Sequence, residues 1–197
     1  MKEFNKIIMS LQLIGLTGFI VLISACASTP KTQTHYFVLD PSSNFGQQYE
    51  ENQSSSTRTS TSRTIESEHP IALQPIQLAK FLDQPGIVLQ TNHHEIEVAH
   101  YHRWAEPLKK NLHRYITQSL GIDNSNETTQ MLEIQFHQFQ GTHEGNALIS
   151  GYWKINHVSQ PFSYQAPLTK PGYTELVTQL ALLLDQLCTD ISNQLSK

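Results

Sequence analysis

Two cysteines and ten histidines are the side chains of this 197-residue chain with the most obvious chemical potential. His100 and His102 would point to the same side of a strand, and His93-His94 could approach them across a turn. Zinc needs three or four convergent ligands, yet no thiolate or carboxylate stands at a ligand spacing near these imidazoles, and no HExxH occurs. Surface histidines without a metal are the expectation. Cys188 lies between Leu187 and Ile191 on an apolar stripe, where a thiol behaves as a small buried hydrophobe and not as a nucleophile. The chain also lacks a G-x-S-x-G elbow, a P-loop and a G-x-G-x-x-G turn. The sequence therefore predicts neither a catalytic set nor a cofactor.

The other cysteine closes an apolar run. Lys2 and Lys6 precede an almost uncharged stretch from Ile7 to Ala25, which has the form of an export signal. A retained membrane-spanning helix is the competing reading, since about 18 or more apolar residues can cross a bilayer. Against it stands Ile23-Ser24-Ala25-Cys26, which resembles the bacterial lipobox: small residues that fit a peptidase site, then the cysteine that receives lipid, here with Ile23 in place of the usual Leu. The expectation is a signal peptide at residues 1–25, a lipidated Cys26 and a tether over residues 26–34. Loss of Lys2, Glu3 and Lys6 leaves eleven basic and sixteen acidic residues, a charge of −5. That balance excludes nucleic acid as a partner, because no cationic field exists to hold a polyphosphate. Each buried acyl methylene is worth about 0.8 kcal/mol, so the protein would sit on a membrane without crossing it. Ala27 and Ser28 lack the aspartate that, by resemblance to bacterial lipoproteins, retains such chains in the inner membrane, so the periplasmic face of the outer membrane is the expected address.

The elements that must follow the anchor can be read from periodicity. From Ser42 to Ser67 twelve of 26 residues are Ser or Thr, a stretch too polar to offset its own ordering entropy, so residues 42–67 are expected to form a flexible insertion in a single domain over residues 35–197. Strands are predicted at His35 to Leu39, Ile71 to Ile76 with Pro75 at an edge or end, Ile87 to Thr91, Glu95 to Tyr101, Met131 to Phe139, Ala147 to Ile155 and Phe162 to Ala166. Ile96 and Val98 alternate with Glu95 and Glu97, and Leu132, Ile134 and Phe136 alternate with Glu133, Gln135 and His137, giving a sheet with one buried face. Two helical stripes follow, one through Trp104, Leu108, Leu112, Tyr115, Ile116 and Leu120, with Pro107 in its first turn and Gly121 at its end, the other from Leu176 through Leu187 to Leu195. The fold class is α+β in two layers, a mostly antiparallel sheet covered on one face by two main helices.

Two blocks carry a family signature. Phe81-Leu82-Asp83-Gln84-Pro85-Gly86-Ile87-Val88 resembles the YLDRPQIV block, and Tyr101-His102-Arg103-Trp104-Ala105-Glu106-Pro107-Leu108 the F-x-RWAEPL block, of the PqiC-type lipoproteins, auxiliary components of ABC and MCE-type transport systems. Tyr36-Phe37-Val38-Leu39 and the strand of Trp153 extend the likeness over most of the mature chain. Gln84 replaces the usual Arg, Gly86 a polar residue, and the Ser/Thr-rich insertion is additional. The resemblance implies a non-catalytic outer-membrane lipoprotein that supports envelope integrity and lipid traffic. Its implied partner is a periplasm-spanning MCE-domain transport protein, docked as the end of a lipid-conducting tube and met by a homo-oligomeric ring. A direct lipid carrier is the alternative, and it would need a concave apolar pocket between helices and sheet. A hydrolase would need a nucleophile and base that the sequence does not offer. The blocks themselves read first as structure: Trp104 and Leu108 anchor the first helical turn on the sheet, Glu106 sits near a helix N-terminus, Arg103 is available to pair with a carboxylate, and the Pro85 turn orients two strands.

Overall fold

The computed structural model describes residues 32–41, 71–122 and 130–195, so the signal peptide, Cys26 and the Ser/Thr-rich insertion lie outside the described residues. The elements run β1 (His35–Phe37), β2 (Ile71–Leu73), β3 (Gln77–Leu78), β4 (Gly86–Gln90), β5 (Ile96–Trp104), α1 (Leu108–Leu120), β6 (Gln130–Gly141), β7 (Asn146–Ile155), β8 (Val158–Pro167) and α2 (Tyr173–Leu195). They form one mixed eight-stranded sheet in the order β1-β5-β4-β6-β7-β8, with β2 and β3 also paired to β6. The long ladders β4·β5, β6·β7 and β7·β8 are antiparallel, and the short additions β1·β5, β2·β6, β3·β6 and β4·β6 are parallel. This is the α+β architecture that the periodicity predicts.

Strand β7 shows the cause most clearly. Ala147, Ile149, Gly151, Trp153 and Ile155 are buried while the residues between them stay half-buried, so alternation alone assigns the two faces. On β6 the alternation slips: a bulge between Phe136 and Gln138 adds one residue and turns Phe139 onto the same face as Phe136, their rings meeting edge to face at 5.8 Å. Helix α2 lies over β6, β7 and β8, with α1 beside it. Its stripe from Leu176 through Leu180, Leu183, Leu184 and Leu187 to Ile191 is fully buried. Tyr115 of α1 donates its hydroxyl hydrogen to Asp185 of α2 at 2.7 Å, tying the helices together. Cys188 is buried as expected, and burial, reinforced by Asp185, pushes its thiol up to about 12. The opposite sheet face is polar, with Ser150 bonded to Gln138 at 2.7 Å and Lys154 paired with Glu133 at 3.4 Å.

Three expectations need correction. The predicted strand Ile71 to Ile76 ends at Leu73 and pairing resumes only beyond it at Gln77–Leu78, because Pro75 has no N–H to continue a ladder; Gln74 N–H still reaches the Leu132 carbonyl at 2.8 Å, and Ala79 N–H reaches that of Phe136 at 2.9 Å. Ile96 and Val98 remain 42% and 39% exposed, at the end of β5 that lies beyond the β1 pairing from His102 to Trp104. Trp104 is the last residue of β5, not part of a helix, and α1 starts at Leu108.

Gly86 departs from the family pattern for a visible reason. The β4·β5 register shifts between Gly86 and Val88, and a Cβ at Gly86 would overlap the Ala99 carbonyl oxygen and lie 2.7 Å from Val98 Cγ1. Restoring a polar residue there with Gly86→Gln should therefore destabilise this chain by about 1–3 kcal/mol, the usual cost of overpacking. At about 2–4 °C per kcal/mol for a domain of this size, thermal melting reads the effect directly, and an unchanged Tm would mean that the strands separate freely here.

Candidate functional site

The two family blocks converge on one node where β1, the start of β4, the end of β5 and the start of α1 meet. β1 adds in parallel to β5 with His35 opposite His102, Tyr36 opposite Arg103 and Phe37 opposite Trp104. Trp104 N–H donates to the Pro85 carbonyl at 2.8 Å and Ala105 N–H to the Phe37 carbonyl at 2.9 Å, so the Pro85 turn and β1 grip the strand end from both sides. Trp104 is 5% exposed and packs against Phe139 with ring centroids 6.0 Å apart, and Leu108 is buried below it. Pro107 caps α1 without a side-chain bond; its carbonyl accepts from the N–H groups of Lys110 at 2.9 Å and Asn111 at 3.1 Å. A proline suits this position because the first helical N–H groups lack partners in any case.

The charged members divide into useful and idle. Asp83 pairs with Lys109 at 2.7 Å between two half-exposed side chains, a contact worth little in water. Glu106 pairs with Arg114 at 2.8 Å and, more loosely, with Lys110 at 3.9 Å, which places its charge beside the helix N-terminus as the sequence suggests. Arg103, expected to find a carboxylate, makes no ion pair among the described residues. Arg114 fills that part, eleven positions further along the chain.

Sequence reasoning missed the residues that close the node. Arg114 bonds the Asn111 side-chain oxygen at 2.9 Å and reaches the Leu39 carbonyl at 3.4 Å, while the same Asn111 oxygen accepts from Leu39 N–H at 3.2 Å. Leu39 and Asn111 are both fully buried, and the Asn111 amide nitrogen has no partner. The backbone just past β1 is thus clasped to α1 by one asparagine and one arginine. The signal was present in the sequence as a polar residue inside an apolar stripe, since Asn111 falls among Leu108, Leu112 and Tyr115.

The contacts that define this node are backbone hydrogen bonds, ring packing and ion pairs. The histidines fall into separate groups: His93 lies between His94 and His143, with ring centroids 6.4 and 4.9 Å away, while His102 stacks between His35 and Tyr173. Among the described residues no group of three or more His, Cys, Asp or Glu side chains is placed to hold a metal ion. Cys26 lies outside the described residues.

Comparison with known proteins bears on this geometry. The model of a family described as ABC-type transport auxiliary lipoprotein component matches residues 52–192. The intermembrane transport lipoprotein PqiC of Escherichia coli (strain K12) is 23% identical over 141 residues, covering 64% of this chain and 74% of the relative, and its Shigella flexneri counterpart matches equally. Two solved structures share the fold. An uncharacterized protein superimposes with a TM-score of 0.61 at 24% identity, covering 64% of this chain and 91% of that one. A Xanthomonas campestris protein of family DUF330 gives a TM-score of 0.58 at 18% identity, covering 63% and 81%.

The clasp generates a sharp expectation. Asn111→Leu keeps the branching of the side chain but leaves the buried Leu39 N–H unpaired, a loss of about 1–3 kcal/mol. Asp83→Asn breaks only a solvated pair and should cost less than about 1 kcal/mol. Denaturant titration of both variants checks the order, and an equal effect would mean that Leu39 finds another acceptor.

Proposed function

We propose a function from one fixed premise: the chain belongs to the family of ABC-type transport auxiliary lipoprotein components. On that basis it is a non-catalytic lipoprotein subunit of an intermembrane lipid transport system, held on the periplasmic face of the outer membrane through Cys26. There it receives the distal end of a periplasm-spanning MCE-domain protein as a homo-oligomer and so supports envelope integrity. The observation that carries the reading is the family match over residues 52–192, which spans both signature blocks and both helices. The name of the Escherichia coli relative, an intermembrane transport lipoprotein, supports the same assignment.

The node gives this reading a physical content. A lipid-anchored subunit that holds a long partner must transmit force between its N-terminal attachment and its folded body. β1 adds only three residues to the sheet, too short a ladder to bear load alone. The Asn111 and Arg114 clasp on Leu39 and the Phe37 bond to Ala105 distribute that load into α1 and β5. Contact with the partner falls to edge strands and loops, since Trp104, Leu108, Leu180 and Leu187 are all buried.

Two measurements test the proposal. Cys26→Ala should leave an uncleaved or mislocalised precursor; normal processing with wild-type fractionation after alkaline washing would refute the anchor. Gentle cross-linking in envelopes, followed by pull-down of the lipid-anchored protein, should recover an MCE-domain protein. Repeated failure to do so, with a strict monomer at tens of micromolar by sedimentation, would overturn the docking role.

A further inference from the structure

At the far end of α2 from its C-terminus the sheet and helix part to leave a cleft of about 470 Å³ between the β6–β7 turn and the loop that leads into α2. Its floor is apolar, formed by Leu89, Leu168 and Leu176 over Gly141. Gly141 keeps this floor open: a Cβ would lie 2.8 Å from Leu89 Cδ2 and 3.0 Å from Leu176 Cδ2, so a side chain there would displace the ends of the two leucines or fill the space between them. The mouth carries one cation and one anion, Lys170 and Glu144.

Both rims are held in place by bonds unrelated to any ligand. Leu168 N–H donates to the Gly145 carbonyl at 2.9 Å, bracing one rim against the other. In the loop, Thr169 gives its N–H and hydroxyl to the buried Glu175 carboxylate at 3.3 and 2.7 Å, and Gln179 gives its amide at 2.9 Å. Those bonds, the Thr169 hydroxyl first, hold the Glu175 carboxyl below the usual carboxylate range, with Lys170 assisting. Tyr173 forms an aromatic wall, stacked on His102 at 3.8 Å, which in turn stacks on His35 of β1. Burial, then the neighbouring His35, lowers the His102 pKa, which favours the neutral imidazole in this stack.

We infer that this cleft seats one aliphatic chain of a zwitterionic phospholipid, with Lys170 at the phosphate and Glu144 at the ammonium of the head group. The volume lies within the roughly 300–1,000 Å³ of small-ligand sites, whose usual form is an apolar body with a few placed polar groups. Opposite charges at the mouth of an apolar floor favour a head group bearing both signs over a purely anionic one. The choice of a lipid rests on the transport reading above, whereas the chain-plus-zwitterion chemistry rests on the cleft alone. The alternative occupant, an apolar side chain from a partner protein, would ignore both rim charges.

The test uses the mature lipidated chain, held in dodecyl maltoside micelles so that no other phospholipid competes, and titrated with lysophosphatidylethanolamine bearing a terminal diazirine. After irradiation, adducts should saturate and map to the peptides that hold Leu89, Leu168 or Leu176. Unlabelled lysophosphatidylethanolamine should compete at several-fold lower concentration than lysophosphatidylglycerol. Lys170→Glu should raise the half-saturating concentration about fivefold, the upper range for one exposed charge contact, and Glu144→Lys should erase the preference between the two lipids. Gly141→Val should abolish labelling; because that variant tests the fold as well, the two rim variants decide. Adducts scattered over the surface, or titrations indifferent to both rim charges, would overturn the inference. Partner capture by the same wild-type preparation is read separately, so a lost lipid site and a lost docking role give different results.

Discussion

Strand β6 is the constraint on which the rest of the molecule depends, because both of its edges are used and no other strand can replace it. One edge carries the complete β7 ladder from Leu132 opposite Ile155 to Gly141 opposite Ala147. The other receives β2, β3 and finally β4 in succession, each by three rungs or fewer. Backbone groups buried away from water must be paired, so the register of β6 dictates where β2, β3 and β4 can attach. The bulge at Phe136/Gln138 is part of that dictate: it re-aims Phe139 toward Trp104, and through that contact the meander meets the signature node.

The node is therefore architecture in the first instance. Trp104 is buried, Pro85 and Pro107 contribute carbonyls, and Leu108 starts the helix that α2 packs against. Exposed pairs such as Asp83 with Lys109 add little, whereas a polar group at fully buried Asn111 is costly unless it is used. It is used twice, on Leu39 and on Arg114. A fold that spends a buried amide on fastening its first strand gains orientation at that point, and orientation is what an anchored subunit needs.

Local pattern made much of this legible. β7 and α2 could be drawn from periodicity because each buries one continuous stripe, and Cys188 could be assigned to the core because it lies on such a stripe. The failures share one cause, namely that partners distant in sequence decided the outcome. Ile96 and Val98 alternate like core residues, but β1 stops short of them and leaves that edge open. Asn111 reads as a flaw in a helix stripe until Leu39, 72 positions away, supplies its donor. Arg103 looked like the arginine that pairs, and Arg114 was overlooked, because helical spacing cannot reveal that Glu106 lies just outside α1 and within reach of its second turn. The cleft at Gly141 was invisible for the same reason: its floor comes from β4, the β8–α2 loop and α2.

If the signature blocks serve mainly to build the node, recognition must be placed elsewhere, and the remaining surface offers two kinds of site. One is backbone: among the described residues, the length of β5 beyond β1 has no strand on that edge and presents hydrogen-bonding groups on which another extended chain could pair. The other is volume: the cleft beside Tyr173 presents apolar area that only a ligand or a side chain can cover. They are physically joined, because His102 lies in β5, pairs with His35 in β1 and stacks on the Tyr173 wall. The three stacked rings of His35, His102 and Tyr173 thus form a continuous packed path between β1 and the cleft, so a displacement of Tyr173 would alter the packing of β1.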